Sequence, residues 1–141
     1  MNTVSAATQS HWLLVDDNED ILRLLSAVLK NLTDAPIECF TTPHAALAAF
    51  ADAPAKYELV ITDFEMPGMD GVELCRQLHQ ISPAQKIFLA TGSGFFTEAQ
   101  ARHAGFSALL HKPFPLAVLQ AALAENPSPG AEHFSGELMP A

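Results

Sequence analysis

Five short apolar runs alternate with stretches of helical periodicity along this chain. The runs cover residues 11–15, 36–40, 58–62, 86–90 and 107–110. In the third run, Leu59, Val60 and Ile61 are continuously apolar, which is typical of strands covered on both faces. Alternation of strands and helices predicts a parallel sheet with helices on both faces. We therefore expect a doubly wound α/β fold whose five strands lie in the order 2-1-3-4-5.

The helical stretches carry start and stop signals. Thr42 and Asp70 are expected N-caps, Pro115 is expected to open the last helix, and Gly105 to close a short helix over residues 97–103. Spacings of three and four residues predict the inward faces of the first and last helices. These faces comprise Ile21, Leu24, Leu25, Val28, Leu29 and Leu32 on the first helix and Leu116, Leu119, Ala122 and Leu123 on the last. Trp12, Cys39 and Cys75 are expected to fill the core.

The length of 141 residues suits one domain, which we assign to residues 11–125. Residues 1–10 are polar and are expected to be a flexible lead. Residues 126–141 are rich in Pro, Gly and Ser and are expected to be a flexible tail. After residue 125 the sequence offers no room for a separate output domain, which favours a stand-alone protein.

Charge and hydropathy argue against several classes of partner. Sixteen Asp and Glu residues against seven Lys and Arg residues give a net charge of −9, so we expect neither a nucleic-acid partner nor an anionic membrane partner. The first ten residues do not resemble a signal peptide, and no apolar stretch reaches the roughly 18 residues of a membrane-spanning helix. The two cysteines form no close motif, which fits a reducing cytoplasm.

Residues with reactive or charged side chains stand at the ends of four of the five predicted strands. They are Asp16 and Asp17 after the first strand, Asp63 after the third, Thr91 after the fourth and Lys112 after the fifth. In a sheet of order 2-1-3-4-5 these strand ends are neighbours, and ligands bind at this edge. We therefore expect three carboxylates, a hydroxyl and an ammonium to converge.

This set of groups suits phosphoryl chemistry. Three close carboxylates remain ionised together only around a cation, and hard oxygen ligands with open positions favour Mg²⁺. A central aspartate can attack phosphorus and form an acyl phosphate. Lys112 and Thr91 can bind the phosphoryl oxygens. Taken singly, each residue is also an ordinary cap or surface residue, so the prediction rests on the whole set.

At these residues the sequence resembles the receiver domain of two-component response regulators, which has a flavodoxin-like (βα)5 fold. The resemblance covers about residues 11–125. The matching segments are residues 13–18 (LLVDDN), 63–71 (DFEMPGMDG), 90–92 (ATG) and 112–114 (KPF).

The resemblance implies a role for each site residue. Asp63 matches the phosphoacceptor, Asp16 and Asp17 match the Mg²⁺-binding pair, and the backbone carbonyl of Glu65 matches a further metal ligand. Thr91 and Lys112 match the residues that bind the phosphoryl oxygens. Pro113 matches a proline that usually follows a cis peptide bond. Leu109 departs from the family, because many members carry Tyr or Phe at this position and move that ring on phosphorylation.

The resemblance also implies partners. The phosphoryl donor would be a histidine kinase or a histidine phosphotransfer protein, and the output would be an unknown protein target. We expect a signalling phosphoacceptor rather than an enzyme, as a monomer or weak homodimer. Two alternatives stay open: a receiver-like interaction module that takes no phosphate, and a Mg²⁺-dependent phosphatase with an Asp nucleophile. Such phosphatases use a second Asp two residues after the nucleophile, where this chain has Glu65.

Overall fold

The computed structural model describes residues 10–92, 94 and 96–126, so nearly all of the predicted lead and tail lies outside the described residues. Within them, five parallel strands form one sheet: β1 (His11–Val15), β2 (Ile37–Phe40), β3 (Tyr57–Thr62), β4 (Ile87–Thr91) and β5 (Ala108–His111). The helices are α1 (Glu19–Leu29), α2 (Pro43–Asp52), α3 (Gly71–Ile81), α4 (Glu98–Ala104) and α5 (Leu116–Glu125), with a 3₁₀ turn at Pro54–Lys56.

The strand order is β2-β1-β3-β4-β5, which confirms the predicted topology. Each strand bound agrees with the sequence prediction to within one residue. The predicted helix signals are also confirmed. The hydroxyl of Thr42 accepts a hydrogen bond from the Ala45 N–H, and the carboxylate of Asp70 accepts one from the Glu73 N–H. Gly105 ends α4 with φ of 111°, a left-handed conformation that glycine adopts at low cost.

The sheet separates two apolar layers. Buried residues of α1 and α5 pack on one face, among them Leu22, Leu29 and Leu119. Buried residues of α2, α3 and α4 pack on the other face, among them Phe50 and Leu74. Both faces of the central strands are therefore covered, which explains their continuously apolar sequences.

Three packing predictions are wrong. Leu24 is 65% exposed, and Leu22 is buried in its place. The run of closely spaced apolar residues in α1 fits more than one inward face, so periodicity alone could not choose between them. Leu116, in the first turn of α5, is 39% exposed. Cys39 is exposed because β2 is an edge strand, whereas Trp12 and Cys75 are buried as expected.

No helix in the described part of the chain is long and apolar enough to cross a membrane.

Candidate functional site

Three of the predicted site residues each stand directly after a strand and extend its hydrogen bonding by one residue. Their backbone N–H groups donate to carbonyls of the neighbouring strand: Asp16 to Phe40 (3.1 Å), Asp63 to Val15 (2.9 Å) and Lys112 to Thr91 (2.9 Å). The sheet therefore fixes the spacing of the backbones of these residues.

Lys112 joins the carboxylates. Its Nζ lies 2.8 Å from Asp16 Oδ2 and 3.2 Å from Asp63 Oδ1. The other oxygen of Asp16 accepts a hydrogen bond from the backbone N–H of Asn18, at 3.0 Å. Asp16 is buried, and the Lys112 side chain is only 19% exposed. This arrangement orients one ammonium between two carboxylates in a partly shielded site.

Burial and the contact between Lys112 and Asp63 have opposite effects on the pKa values of these two residues. Burial raises the pKa of Asp63, the charge of Asp16 adds to that rise, and Lys112 opposes both without cancelling them. Burial lowers the pKa of Lys112, but hydrogen bonds and charge from Asp16 and Asp63 outweigh burial and raise this pKa above its ordinary value. The lysine is therefore held firmly in its charged form.

A third carboxylate completes the group. Asp16, Asp17 and Asp63 each place one carboxylate oxygen within 4.8 Å of the others. Asp16 is buried, Asp63 is partly buried and Asp17 is exposed, so the group opens toward solvent on one side. One ammonium balances only part of the charge of three carboxylates. The donor set is entirely oxygen and carries excess negative charge, so it fits a hard divalent cation such as Mg²⁺.

The remaining predicted residues surround the same open depression. Its lining comprises Asp16, Asp17, Asn18, Ile21, Asp63, Glu65, Thr91, Gly92 and Lys112. Thr91 is buried as the last residue of β4, and the Glu65 side chain is exposed. The peptide bond between Lys112 and Pro113 is cis. Leu109 lies apart from this lining, on β5, where it is 8% exposed and opposite Leu89.

Two supporting residues were not predicted from the sequence. A Cβ atom on Gly71 would lie 2.3 Å from the backbone oxygen of Asp63, so only glycine allows α3 to begin this close to the site. The Gly71 N–H also donates to the Phe64 carbonyl, at 2.8 Å. The hydroxyl of Thr62 donates to the same Asp63 oxygen, at 2.9 Å. A glycine directly after the Asp70 cap was the one signal in the sequence that could have suggested this close approach.

Comparison with known proteins agrees with this geometry. The family model described as the response regulator receiver domain matches residues 12–124. The chain is 35% identical over 108 residues to the C4-dicarboxylate transport transcriptional regulatory protein DctD of Pseudomonas aeruginosa, covering 76% of this chain and 23% of that protein. It is 30% identical over 122 residues to the transcriptional regulatory protein FixJ of Azorhizobium caulinodans, covering 84% of this chain and 56% of that protein.

Solved structures agree as well. The response regulator protein TrrA from Thermotoga maritima, in complex with Mg²⁺ and BeF, superimposes with a TM-score of 0.73 at 27% identity, covering 82% of this chain and 97% of that one. The chain spans 23% and 56% of the lengths of the two curated relatives. The family match covers most of this chain and includes all of the residues that form the depression. The chain belongs to the response regulator receiver domains of two-component signalling.

Proposed function

We propose that this chain accepts a phosphoryl group on Asp63 from a phosphohistidine of a partner protein. A carboxylate oxygen of Asp63 forms a bond to phosphorus as the bond between phosphorus and the imidazole nitrogen breaks. The electron pair of the broken bond stays on the imidazole, which leaves neutral because its other nitrogen carries a proton. The observation that carries this proposal is the position of Lys112 Nζ, which lies 3.2 Å from Asp63 and 2.8 Å from Asp16.

Each neighbour of Asp63 has a role in the proposal. Lys112 and Thr91 bind the oxygens of the phosphoryl group, since an ammonium and a hydroxyl are suitable donors to them. Asp16, Asp17 and the backbone carbonyl of Glu65 are the proposed ligands of Mg²⁺, together with Asp63. When bound, the ion would neutralise charge on the phosphoryl oxygens and on the carboxylates. The Mg²⁺-containing structure of the Thermotoga maritima relative supports this assignment by analogy.

The proposed partners follow from this chemistry. The donor is a histidine kinase or a histidine phosphotransfer protein, and the phosphorylated chain binds a protein target. The net charge of −9 supports the absence of a direct nucleic-acid partner. We further propose that the protein is cytoplasmic and that it is a monomer or a weak homodimer. Phosphorylation would act by shifting the populations of two conformations of the domain.

The test is intact-mass analysis of the full chain after incubation with acetyl phosphate, with and without Mg²⁺. We expect a single phosphoryl adduct that requires Mg²⁺ and is lost in Asp63→Asn. Asp70→Asn is the matched control, because it removes the same charge from the same loop and asparagine also caps helices well. This control should take up phosphate as the wild type does.

Other outcomes would contradict the proposal. An adduct that persists in Asp63→Asn would place the chemistry elsewhere. Sustained hydrolysis of a phosphomonoester, rather than one adduct per chain, would favour the phosphatase alternative. Absence of any adduct, together with no binding of beryllofluoride in the presence of Mg²⁺, would favour the interaction module that takes no phosphate.

A further inference from the structure

Two phenylalanine rings meet beside the proposed phosphoacceptor. The ring centroids of Phe64 and Phe96 lie 4.8 Å apart, and the ring planes are inclined by 76°. This edge-to-face arrangement is a favoured geometry for aromatic pairs. Both side chains are partly buried and pack against the apolar layer of α2, α3 and α4. The pair therefore connects two loops whose phenylalanines are 32 residues apart in sequence.

Phe64 is bonded directly to the phosphoacceptor. It follows Asp63 in the chain, and the Asp63 backbone itself is fixed to β1 because its N–H donates to the Val15 carbonyl, at 2.9 Å. The Phe64 carbonyl accepts a hydrogen bond from the Gly71 N–H, at 2.8 Å. A phosphoryl group on Asp63 adds bulk and negative charge next to the Asp63–Phe64 peptide. Since the Phe64 backbone carries the ring, a shift of this peptide is transmitted to the ring.

Phe96 stands at the entrance to α4. It precedes Thr97, the N-cap, whose hydroxyl and the Gln100 side chain form a reciprocal capping box. Phe96 and Ala101 occupy the two positions of a hydrophobic staple, and both belong to the same apolar cluster. Such a staple fixes the angle at which the chain enters a helix. Displacement of the Phe96 ring therefore changes the start of α4.

The position that carries an aromatic switch in many receivers does not offer this connection here. Leu109 is buried on β5 and belongs to the same apolar cluster. An aliphatic side chain in a closely packed layer has no planar ring to exchange between a buried and an exposed position. The Phe64–Phe96 contact is thus a direct side-chain connection between the proposed phosphoacceptor segment and the segment that begins α4.

We propose that phosphorylation of Asp63 is communicated to α4 through the Phe64–Phe96 contact. This inference rests on the proposed function, because it describes how that site would regulate the surface formed by α4. The two rings act as positioning residues for α4 and take no part in phosphoryl transfer. Conversely, the position of α4 biases the Phe64 peptide, since coupling between two sites is reciprocal.

The test measures amide hydrogen exchange in α4 of the full chain, before and after addition of beryllofluoride with Mg²⁺. We expect the wild type to show a change in α4. In Phe64→Leu and Phe96→Leu this change should fall by roughly two- to tenfold, the range that the loss of one aromatic pair supports. Phe96→Tyr keeps the ring and should keep the response. Phe40→Leu is the matched control, because Phe40 is also partly buried against the same layer but lies on β2.

Phosphoryl uptake from acetyl phosphate is measured on the same proteins, and all four variants should still form one adduct per chain. A full α4 response in both Phe64→Leu and Phe96→Leu would overturn the proposal, as would an equal loss in Phe40→Leu or no α4 response in the wild type. A wild type that takes neither phosphate nor beryllofluoride would overturn the proposed function and this inference together. If Phe96→Leu is not folded by circular dichroism, Phe96→Met decides, because methionine fills similar space without a ring.

Discussion

At the scale of single residues, the absence of a side chain at Gly71 allows α3 to begin close to the proposed phosphoacceptor. Any side chain at this position would meet the backbone oxygen of Asp63 at 2.3 Å and the Cα of Phe64 at 3.1 Å. Both atoms belong to the main chain, which cannot rotate away as a flexible side chain could. The contact therefore couples the start of a helix to the geometry of the site.

We expect Gly71→Ala to destabilise the fold by about 1–3 kcal/mol, because overpacking outweighs the gain of up to roughly 1 kcal/mol from alanine in a helix. Phosphoryl uptake at Asp63 should also slow. Urea unfolding and intact-mass kinetics measure the two effects. Gly94→Ala is the control, because nothing lies within 4 Å of the Cβ position there. Equal unfolding midpoints for Gly71→Ala and the wild type would contradict the steric argument.

We expect Lys112 to compete with a bound metal ion for the same carboxylates. Its Nζ contacts Asp16 and Asp63, two of the three carboxylates that converge at the site. We expect Lys112→Met to bind Mg²⁺ about tenfold more tightly, because a positive charge a few ångströms from the ion is removed. The same variant should fail to retain a phosphoryl group, since its oxygens lose their ammonium.

Isothermal titration calorimetry with MgCl₂ measures the affinity. Lys56→Met is the control, because Lys56 pairs with Glu38 and lies before the amino end of β3, whereas Asp63 follows the carboxyl end of that strand. It should bind Mg²⁺ as the wild type does. Unchanged or weaker Mg²⁺ binding by Lys112→Met would mean that the ammonium and the ion occupy separate parts of the depression.

At the scale of secondary-structure elements, one carboxylate of the edge strand β2 adds three side-chain contacts to the backbone pairing of β2 with β1. Glu38 lies 2.6 Å from His11 Nδ1, 2.7 Å from the Tyr57 hydroxyl and 2.9 Å from Lys56 Nζ. Burial raises the pKa of Glu38, but hydrogen bonds from Tyr57, Lys56 and His11 outweigh burial and hold this pKa below its ordinary value of 4.5. Burial and the neighbouring carboxylate raise the pKa of Tyr57, so its hydroxyl remains a donor.

We expect Glu38→Gln to lower the free energy of unfolding by about 1–2 kcal/mol at pH 7. Because the folded pKa of Glu38 is depressed, its contribution is present above pH 4.5 and is lost as the pH falls through the lower folded value. The difference between variant and wild type should therefore shrink below pH 4.5 in urea titrations. Glu58→Gln removes the same charge from β3 as a control. A difference that is constant with pH would show that the ionised carboxylate is not the stabilising form.

The elements also show what the sequence could and could not reveal. Strand bounds and N-caps were predictable because they depend on local signals, such as the hydroxyl of Thr42 and the carboxylate of Asp70. The convergence of Asp16, Asp63 and Lys112 was predictable because parallel strands place their carboxyl ends at one edge. The exposure of Leu24 and the Phe64–Phe96 contact were not, since each depends on packing between segments distant in sequence.

At the scale of the whole molecule, one sheet supports both apolar layers. Trp12 is buried in the layer of α1 and α5, whereas Phe50 is fully buried in the layer of α2, α3 and α4. Neither layer retains its burial if the central strands separate. We therefore expect the two layers to unfold together as one cooperative unit.

Phe50→Leu tests this cooperativity. It removes a ring that stacks on the Tyr57 ring with centroids 5.7 Å apart. We expect the free energy of unfolding to fall by about 1–2 kcal/mol. Trp12 fluorescence reports the opposite layer and should shift its urea midpoint by the same amount as far-UV circular dichroism. Two separate unfolding transitions, or a urea midpoint of Trp12 fluorescence that the substitution leaves unchanged, would contradict unfolding as a single unit.

The hydrogen bonds that Asp16, Asp63 and Lys112 donate across the sheet have a consequence for how the chain tolerates changes in length. Side chains of a strand alternate between faces, so one inserted or deleted residue within β1, β3 or β5 turns everything after it to the other face until the register recovers. The residues affected would include the reactive residue that directly follows each of these strands. We therefore expect insertions and deletions to be better tolerated in the loops beyond these residues, and relatives that retain the chemistry should differ in length there rather than within the strands.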